Sequence, residues 1–183
     1  MTFATDVTAI YAGRGGGKST LARKMVAAAR LRQVVYIDPV ANAGYATAEA
    51  VKAAIEAGEK VITLCSANRT ECLNTVYAVA LSSTKLRPLY LVCDEAPLYL
   101  DRATDGLKKL LYQGRHRGLG MMILAQRPTA VAAAIRSQAS PTYWGRLADD
   151  VDLQIAARSI GRKRCATLST ARPGQFVRHP EKD

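Results

Sequence analysis

No apolar run in the 183-residue chain reaches the ~18 residues of a membrane span, so a helical transmembrane segment is not expected. The opening residues, MTFATDVTAIYAGRG, carry neither a basic leader region nor a small-residue cleavage site, and no secretory signal is expected there. Cys65, Cys72, Cys93 and Cys165 form no CxxC pair and lie mostly inside apolar stretches. Buried, reduced thiols of a cytosolic protein are the expectation, with a metal cluster or disulfide framework as the alternative. No internal repeat, low-complexity tract or linker interrupts the chain, which predicts one domain over 1–183. Aromatic residues are sparse, at 6%, and nowhere interleaved with basic ones, so serial stacking on single-stranded bases is not suggested. Negative charge is also scarce. Lys and Arg number 26 against 15 Asp and Glu, a surplus of 11 that favours either a polyanionic partner or a basic surface with none.

What is present is alternation. Short β-branched or aliphatic runs at 7–11, 34–38, 60–65, 88–95, 120–126 and 142–147 read as strands. Between them, Ala-rich helical patterns fall at 19–31, 46–58, 69–83, 104–114, 130–138 and 149–160. A final strand pair is expected around CATLS (165–169) and GQFVRH (174–179). The runs PLYLVCDE and GMMILAQ are too uniformly apolar to have a wet face, which places them centrally in a sheet. Strand–helix alternation with such strands predicts an α/β fold: a mainly parallel sheet with helices on both faces.

The first strand runs into AGRGGGKST, residues 12–20. Ala12 through Ser19 match [AG]-x-x-x-x-G-K-[ST], with alanine where the strict phosphate-loop pattern has glycine. Gly13, Gly15, Gly16 and Gly17 let successive backbone N–H groups turn inward around a phosphate, and the helix beginning near Ser19 and Thr20 adds its positive dipole end. Lys18 reaches the β- and γ-phosphates, and Ser19 offers its hydroxyl to Mg²⁺. Arg14, inside the loop, has two roles open to it: a γ-phosphate contact or a solvated cation. A dinucleotide-binding fingerprint would need glycine at position 18, where lysine stands.

A phosphate loop calls for an acidic strand end, and LYLVCDEAP supplies Asp94 and Glu95, a Walker B pattern. Asp94 would hold Mg²⁺ and Glu95 would polarise an attacking water as general base. Taken alone, the two carboxylates could equally cap the following helix. Beside the phosphate loop, they favour hydrolysis of ATP over transfer to a small hydroxyl acceptor.

A third segment, GRHRGLGMMILAQRPT (114–129), sets two arginines before a buried strand and Gln126-Arg127-Pro128 after it. Together with AGRGGGKST and LYLVCDEAP, it resembles the FtsK/HerA superfamily of DNA-translocating P-loop ATPases. The resemblance is firm from the phosphate loop to Gln126 and looser to about Val177. It implies a RecA-like (ASCE-type) P-loop domain. Gln126 then acts as a polar sensor of the γ-phosphate and Arg115 as an arginine finger, with Arg117 its near substitute and a solvated basic loop the alternative. Such a finger completes a neighbour's site, so the resemblance implies a homo-oligomeric ring, a hexamer. A bare motor of this size resembles the genome-packaging ATPases of tailless, membrane-containing double jelly-roll viruses. That implies ATP and Mg²⁺ as cofactors, double-stranded DNA and a capsid or portal/vertex protein as partners, and the host cytoplasm or the virion as location. Lys108 and Lys109, and Arg162, Lys163 and Arg164, are candidates for phosphate contacts with DNA or ordinary charged faces. The rival readings are a filamentous-phage assembly ATPase exporting single-stranded DNA, and a small P-loop kinase.

Overall fold

A computed structural model of the chain describes residues 5–180. The reading of the first residues as lacking a signal falls partly outside them.

Seven strands form one sheet: β1 (Val7–Tyr11), β2 (Val34–Ile37), β3 (Val61–Leu64), β4 (Leu89–Cys93), β5 (Leu119–Ala125), β6 (Thr142–Trp144) and β7 (Val177–His179), in the order β3-β2-β4-β5-β1-β6-β7. Every pairing is parallel except the last, β6 with β7. β4 and β5 are buried along their whole length, which is why neither shows an apolar–polar alternation in sequence. β5, later in the chain, is inserted between β1 and β4, so the three chemically marked strands lie side by side.

The helices divide unequally between the faces. α1 (Lys18–Ala29) sits alone on one, where Ile10, Val34, Tyr90, Val92, Met122 and Leu124 gather with Ala22. The other face packs against α2 (Ala48–Ala57), α3 (Arg69–Ser82), α5 (Asp105–Gly114) and α7 (Asp150–Ile160) in the larger core. Short helices α4 (Pro97–Leu100), α6 (Ala133–Arg136) and α8 (Arg162–Cys165) add Tyr99, Leu100, Ile135 and Cys165 to it. Period-two alternation dictates the division: Ala9 and Tyr11 face the larger core and Ile10 the smaller. The caps are local and legible. Thr47, Asn68, Thr104 and Asp149 accept backbone N–H bonds at the starts of α2, α3, α5 and α7.

Two expectations fail near the C-terminus. CATLS is not a strand. Residues 162–168 close local bonds instead, Ala166 N–H to Arg162 O (3.0 Å) and Leu168 N–H to Cys165 O (2.9 Å), and buried Cys165 donates its thiol to Leu153 O. The helix expected over 130–138 shrinks to the single turn of α6, because Pro128–Ala130 form a separate 3-10 turn and Val131 and Ala132 are extended.

α7 is tied to the end of β5 by a buried carboxylate. Asp152, with 2% of its side chain exposed, accepts from Arg127 Nε (2.8 Å) and Thr129 Oγ1 (2.7 Å), while Asp149 pairs with Arg127 Nη2 (2.8 Å). Replacing Asp152 with Ala strands these donors and should destabilise the chain by about 1–3 kcal/mol, read as a lower urea midpoint with unchanged slope. An unchanged midpoint would show that the tie is energetically idle.

Candidate functional site

The C-terminal ends of β1, β5 and β4 open on one cleft of about 310 Å³, lined by residues 14–20, Val40, Asp94, Glu95 and Gln126. The parallel register makes this meeting possible: Tyr11 stands opposite Ala125, and Cys93 opposite Ile123, so the three strands release their chains at one edge.

From β1 the chain enters the glycine loop. Gly15 (φ 70°) and Gly17 (φ 89°) occupy the left-handed region that admits glycine without strain. Gly16 is required for another reason: a Cβ there would lie 2.8 Å from the Cβ of buried Ala12 and 2.9 Å from Gly13 O. Gly17 caps α1, whose first residue is Lys18, one position earlier than the sequence suggested. Lys18 is buried, and its ammonium donates to Ala12 O (2.9 Å) and Gly13 O (3.3 Å). Burial pushes its pKa below the ordinary lysine value, while the carboxylates of Glu95 and then Asp94 work against that shift. Gly13 does not line the cleft. Its N–H donates to Arg146 O at 2.9 Å, which makes it a strut of the loop.

Ser19 Oγ donates to Asp94 Oδ2 at 2.7 Å, across 75 residues of sequence. Asp94 Oδ1 accepts from the Glu95 N–H at 2.9 Å. Glu95 adopts φ 45°, a left-handed conformation that costs a non-glycine residue of order 1 kcal/mol. It holds the carboxylate against Gln126, whose Nε2 donates to both carboxylate oxygens at 3.1 and 3.3 Å. β4 itself ends at Cys93, so both acids stand on the turn beyond the strand. The carboxylates therefore meet the cleft, and Thr104, not Asp94 or Glu95, caps the long helix that follows.

The oxygen donors fit a magnesium ion. Ser19 and Asp94 present a hydroxyl and a carboxylate at one point, and the described residues hold no cluster of three or more His, Cys, Asp or Glu side chains. Mg²⁺ is held in this sparse way when phosphates and waters complete its shell. Val40, 76% exposed on the loop after β2, also lines the cleft; nothing in its sequence context marks it.

Two predicted residues stay apart. Arg115 precedes β5 and Gln126 follows it, so the seven-residue strand separates them by about 23 Å. Arg117 is anchored, donating from Nη2 to Leu81 O at 2.9 Å, whereas Arg115 is exposed and its guanidinium makes no hydrogen bond among the described residues. Its charge is felt by Asp6, whose carboxyl is nevertheless raised in pKa, chiefly by burial. Of the basic candidates, Lys108 pairs with Asp105 at 2.9 Å and Arg164 donates to Arg178 O at 2.8 Å, while Lys109, Arg162 and Lys163 are exposed.

By sequence, no protein-family model and no curated protein matches the chain. By structure, the genome packaging NTPase B204 from Sulfolobus turreted icosahedral virus 2, in complex with AMPPCP, matches at TM-score 0.78 and 19% identity over 96% of this chain and 92% of that one. This chain has a P-loop NTPase fold. The DNA-packaging ATPase B204 from Sulfolobus Turreted Icosahedral Virus matches over 100% of both chains (TM-score 0.74, 16% identity). The pCW3 conjugation coupling protein TcpA, with ATPγS, matches over 96% of this chain but 57% of its own (TM-score 0.59, 15% identity).

Lys18→Ala should abolish ATP hydrolysis without loss of the thermal transition; wild-type turnover in this variant would remove the phosphate-loop assignment. Glu95→Gln keeps the shape and one acceptor for Gln126 but not the base. It should bind ATP and slow a single turnover at least ~10²-fold. Unaltered hydrolysis would move the base elsewhere.

Proposed function

We propose that this chain is an ATP-hydrolysing motor of the FtsK/HerA superfamily that drives double-stranded DNA into a preformed capsid, working as a homo-oligomeric ring in the host cytoplasm and at the virion's packaging vertex. The observation that carries the reading is the convergence of Lys18, Ser19, Asp94, Glu95 and Gln126 on one cleft from three adjacent strands. The shared fold with virus-encoded packaging ATPases supports the choice within P-loop enzymes.

In this reading the loop N–H groups and Lys18 grip the β- and γ-phosphates. Ser19 and Asp94 would hold Mg²⁺, which would supply neutralisation of phosphate charge. Glu95 takes the proton of the attacking water, and Gln126, bonded to both Glu95 oxygens, orients that carboxylate and meets the γ-phosphate. Thr20, which also lines the cleft, would face the α-phosphate, and Arg14, exposed on the cleft wall, would approach the γ-phosphate. Positive charge is needed where the transferred phosphoryl group develops negative charge, and Arg115 lies too far away to supply it within its own chain. It would act on the adjoining subunit, which makes a ring, hexameric in this proposal, part of the mechanism. Arg115 suits that role better than Arg117, whose guanidinium is engaged by α3.

DNA of any sequence would be held through phosphates, and exposed Lys109, Arg162 and Lys163 are the groups best placed by their freedom to do so. A capsid or portal/vertex protein would anchor the ring. No helix among the described residues is long and apolar enough to cross a membrane.

The decisive measurement is ATPase rate with and without long duplex DNA, read beside particle mass. Stimulation by DNA in a multi-subunit particle supports the motor. Turnover that depends on a small hydroxyl acceptor in a monomer would replace it with a kinase. Arg115→Ala should bind ATP as the wild type does and hydrolyse it about 10³-fold or more slowly. Mixing it with Glu95→Gln should restore part of the activity, since some interfaces then pair an intact base with an intact finger. No recovery at any ratio would exclude a site shared between subunits.

A further inference from the structure

A second hollow, of about 360 Å³, adjoins the phosphate cleft and shares Gly15, Gly17 and Thr20 with it. Its far wall is made by a segment distant in sequence, Pro173, Gly174 and Phe176. That segment is braced in two ways. Arg172 to Gln175 close a turn, with Gln175 N–H bonded to Arg172 O at 3.0 Å, proline at its second position and Gly174 at φ 84° at its third. Gln175 Oε1 then accepts from the Arg172 N–H at 2.9 Å. The turn is also fastened to the phosphate loop, where the Gly174 N–H donates to Gly16 O at 3.0 Å. The approach is close enough that a Cβ on Gly17 would lie 3.2 Å from Gly174 N. The Phe176 ring is half-buried, and a Cβ on Gly145 would fall 2.9 Å from it. Phe176 therefore has a fixed place: one side of the ring packs on the protein, and the ring borders the hollow.

We propose that this hollow receives the base and ribose of the nucleotide, with Phe176 as the stacking surface, the Pro173–Gly174 turn as the roof and Lys24 at the rim beside Thr20. The inference rests on reading the neighbouring cleft as the triphosphate site. A triphosphate laid across the glycine loop with its γ end at Gln126 and Glu95 carries its α end toward Thr20, and the hollow begins there. Its volume lies in the range of pockets that enclose small ligands. Among the described residues its polar side chains are Thr20 and Lys24, and neither offers the paired donor and acceptor that reads a base edge. Selection is therefore by ring size and stacking. The site accepts purines and discriminates weakly between adenine and guanine.

The test uses ATP, GTP and inorganic tripolyphosphate as separate ligands on the full chain. ATP and GTP should bind with dissociation constants within about threefold of each other and at least about tenfold tighter than tripolyphosphate. Phe176→Leu, which fills the same space without a π face, should weaken ATP and GTP about tenfold while leaving tripolyphosphate unchanged. A 2-aminopurine riboside triphosphate should be quenched on binding to the unmodified chain, a signature of stacking that needs no variant. Tripolyphosphate binding as tightly as ATP, an unquenched probe, or Phe176→Leu weakening all ligands alike would overturn the base site while leaving the phosphate cleft standing. Failure of all three ligands to bind would overturn both.

Discussion

Parallel pairing of β4, β5 and β1 is the constraint on which the rest depends. Parallel strands all end at one edge of the sheet, and the register here ends them within two residues of one another. Neighbouring strands are about 4.8 Å apart, so the acidic turn after β4 and the glycine loop after β1 are held about 10 Å apart, with Gln126 between them. That separation admits a phosphate chain and a metal ion. An antiparallel arrangement would have sent one of the three chain ends to the opposite edge, and no choice of side chains could have repaired it.

Within that frame the polar groups hold one another. The chain of bonds runs from Gln126 to Glu95, through the Glu95 backbone to Asp94, and from Asp94 to Ser19 at the start of α1. Lys18, the one buried cation lining the cleft among the described residues, rests on two loop carbonyls, with which a phosphate bound as proposed would compete. The left-handed backbone of Glu95 belongs to the same arrangement, since it carries the carboxylate that Gln126 holds.

The same strand that carries Gln126 to the cleft carries Arg115 away from it. β5 is thus a rigid strut with one chemical group at each end, and a site that needs both must draw on two copies. The tail of β5 is coupled elsewhere as well, since Arg127, next to Gln126, is held by Asp149 and Asp152 of the α7 region, and α7 leads into the exposed Arg162 and Lys163. In the motor reading, these ion pairs, anchored on buried Asp152, would link the neighbour of Gln126 to the surface proposed to touch DNA.

Fold class and the local placement of the motifs could be read from residues alone, because both rest on short-range patterns. The glycine loop, the Asp94–Glu95 turn, the uniform apolarity of β4 and β5 and the caps Asn68 and Gly58 are local arrangements whose geometry follows from neighbouring residue types. The CATLS segment misled because a five-residue stretch with β-branched and aliphatic members satisfies strand and helical-turn patterns alike. Local backbone bonds and the burial of Cys165 decided between them. What the chain's order could not disclose was which distant segments touch. The insertion of β5 between β1 and β4, the engagement of Arg117 by α3 but not Arg115, the exposed Val40 in the cleft wall and the fastening of Gly174 to Gly16 all join residues far apart in sequence. They are products of sheet pairing and packing, where many weak contacts are satisfied together, and no single residue carries a mark of them.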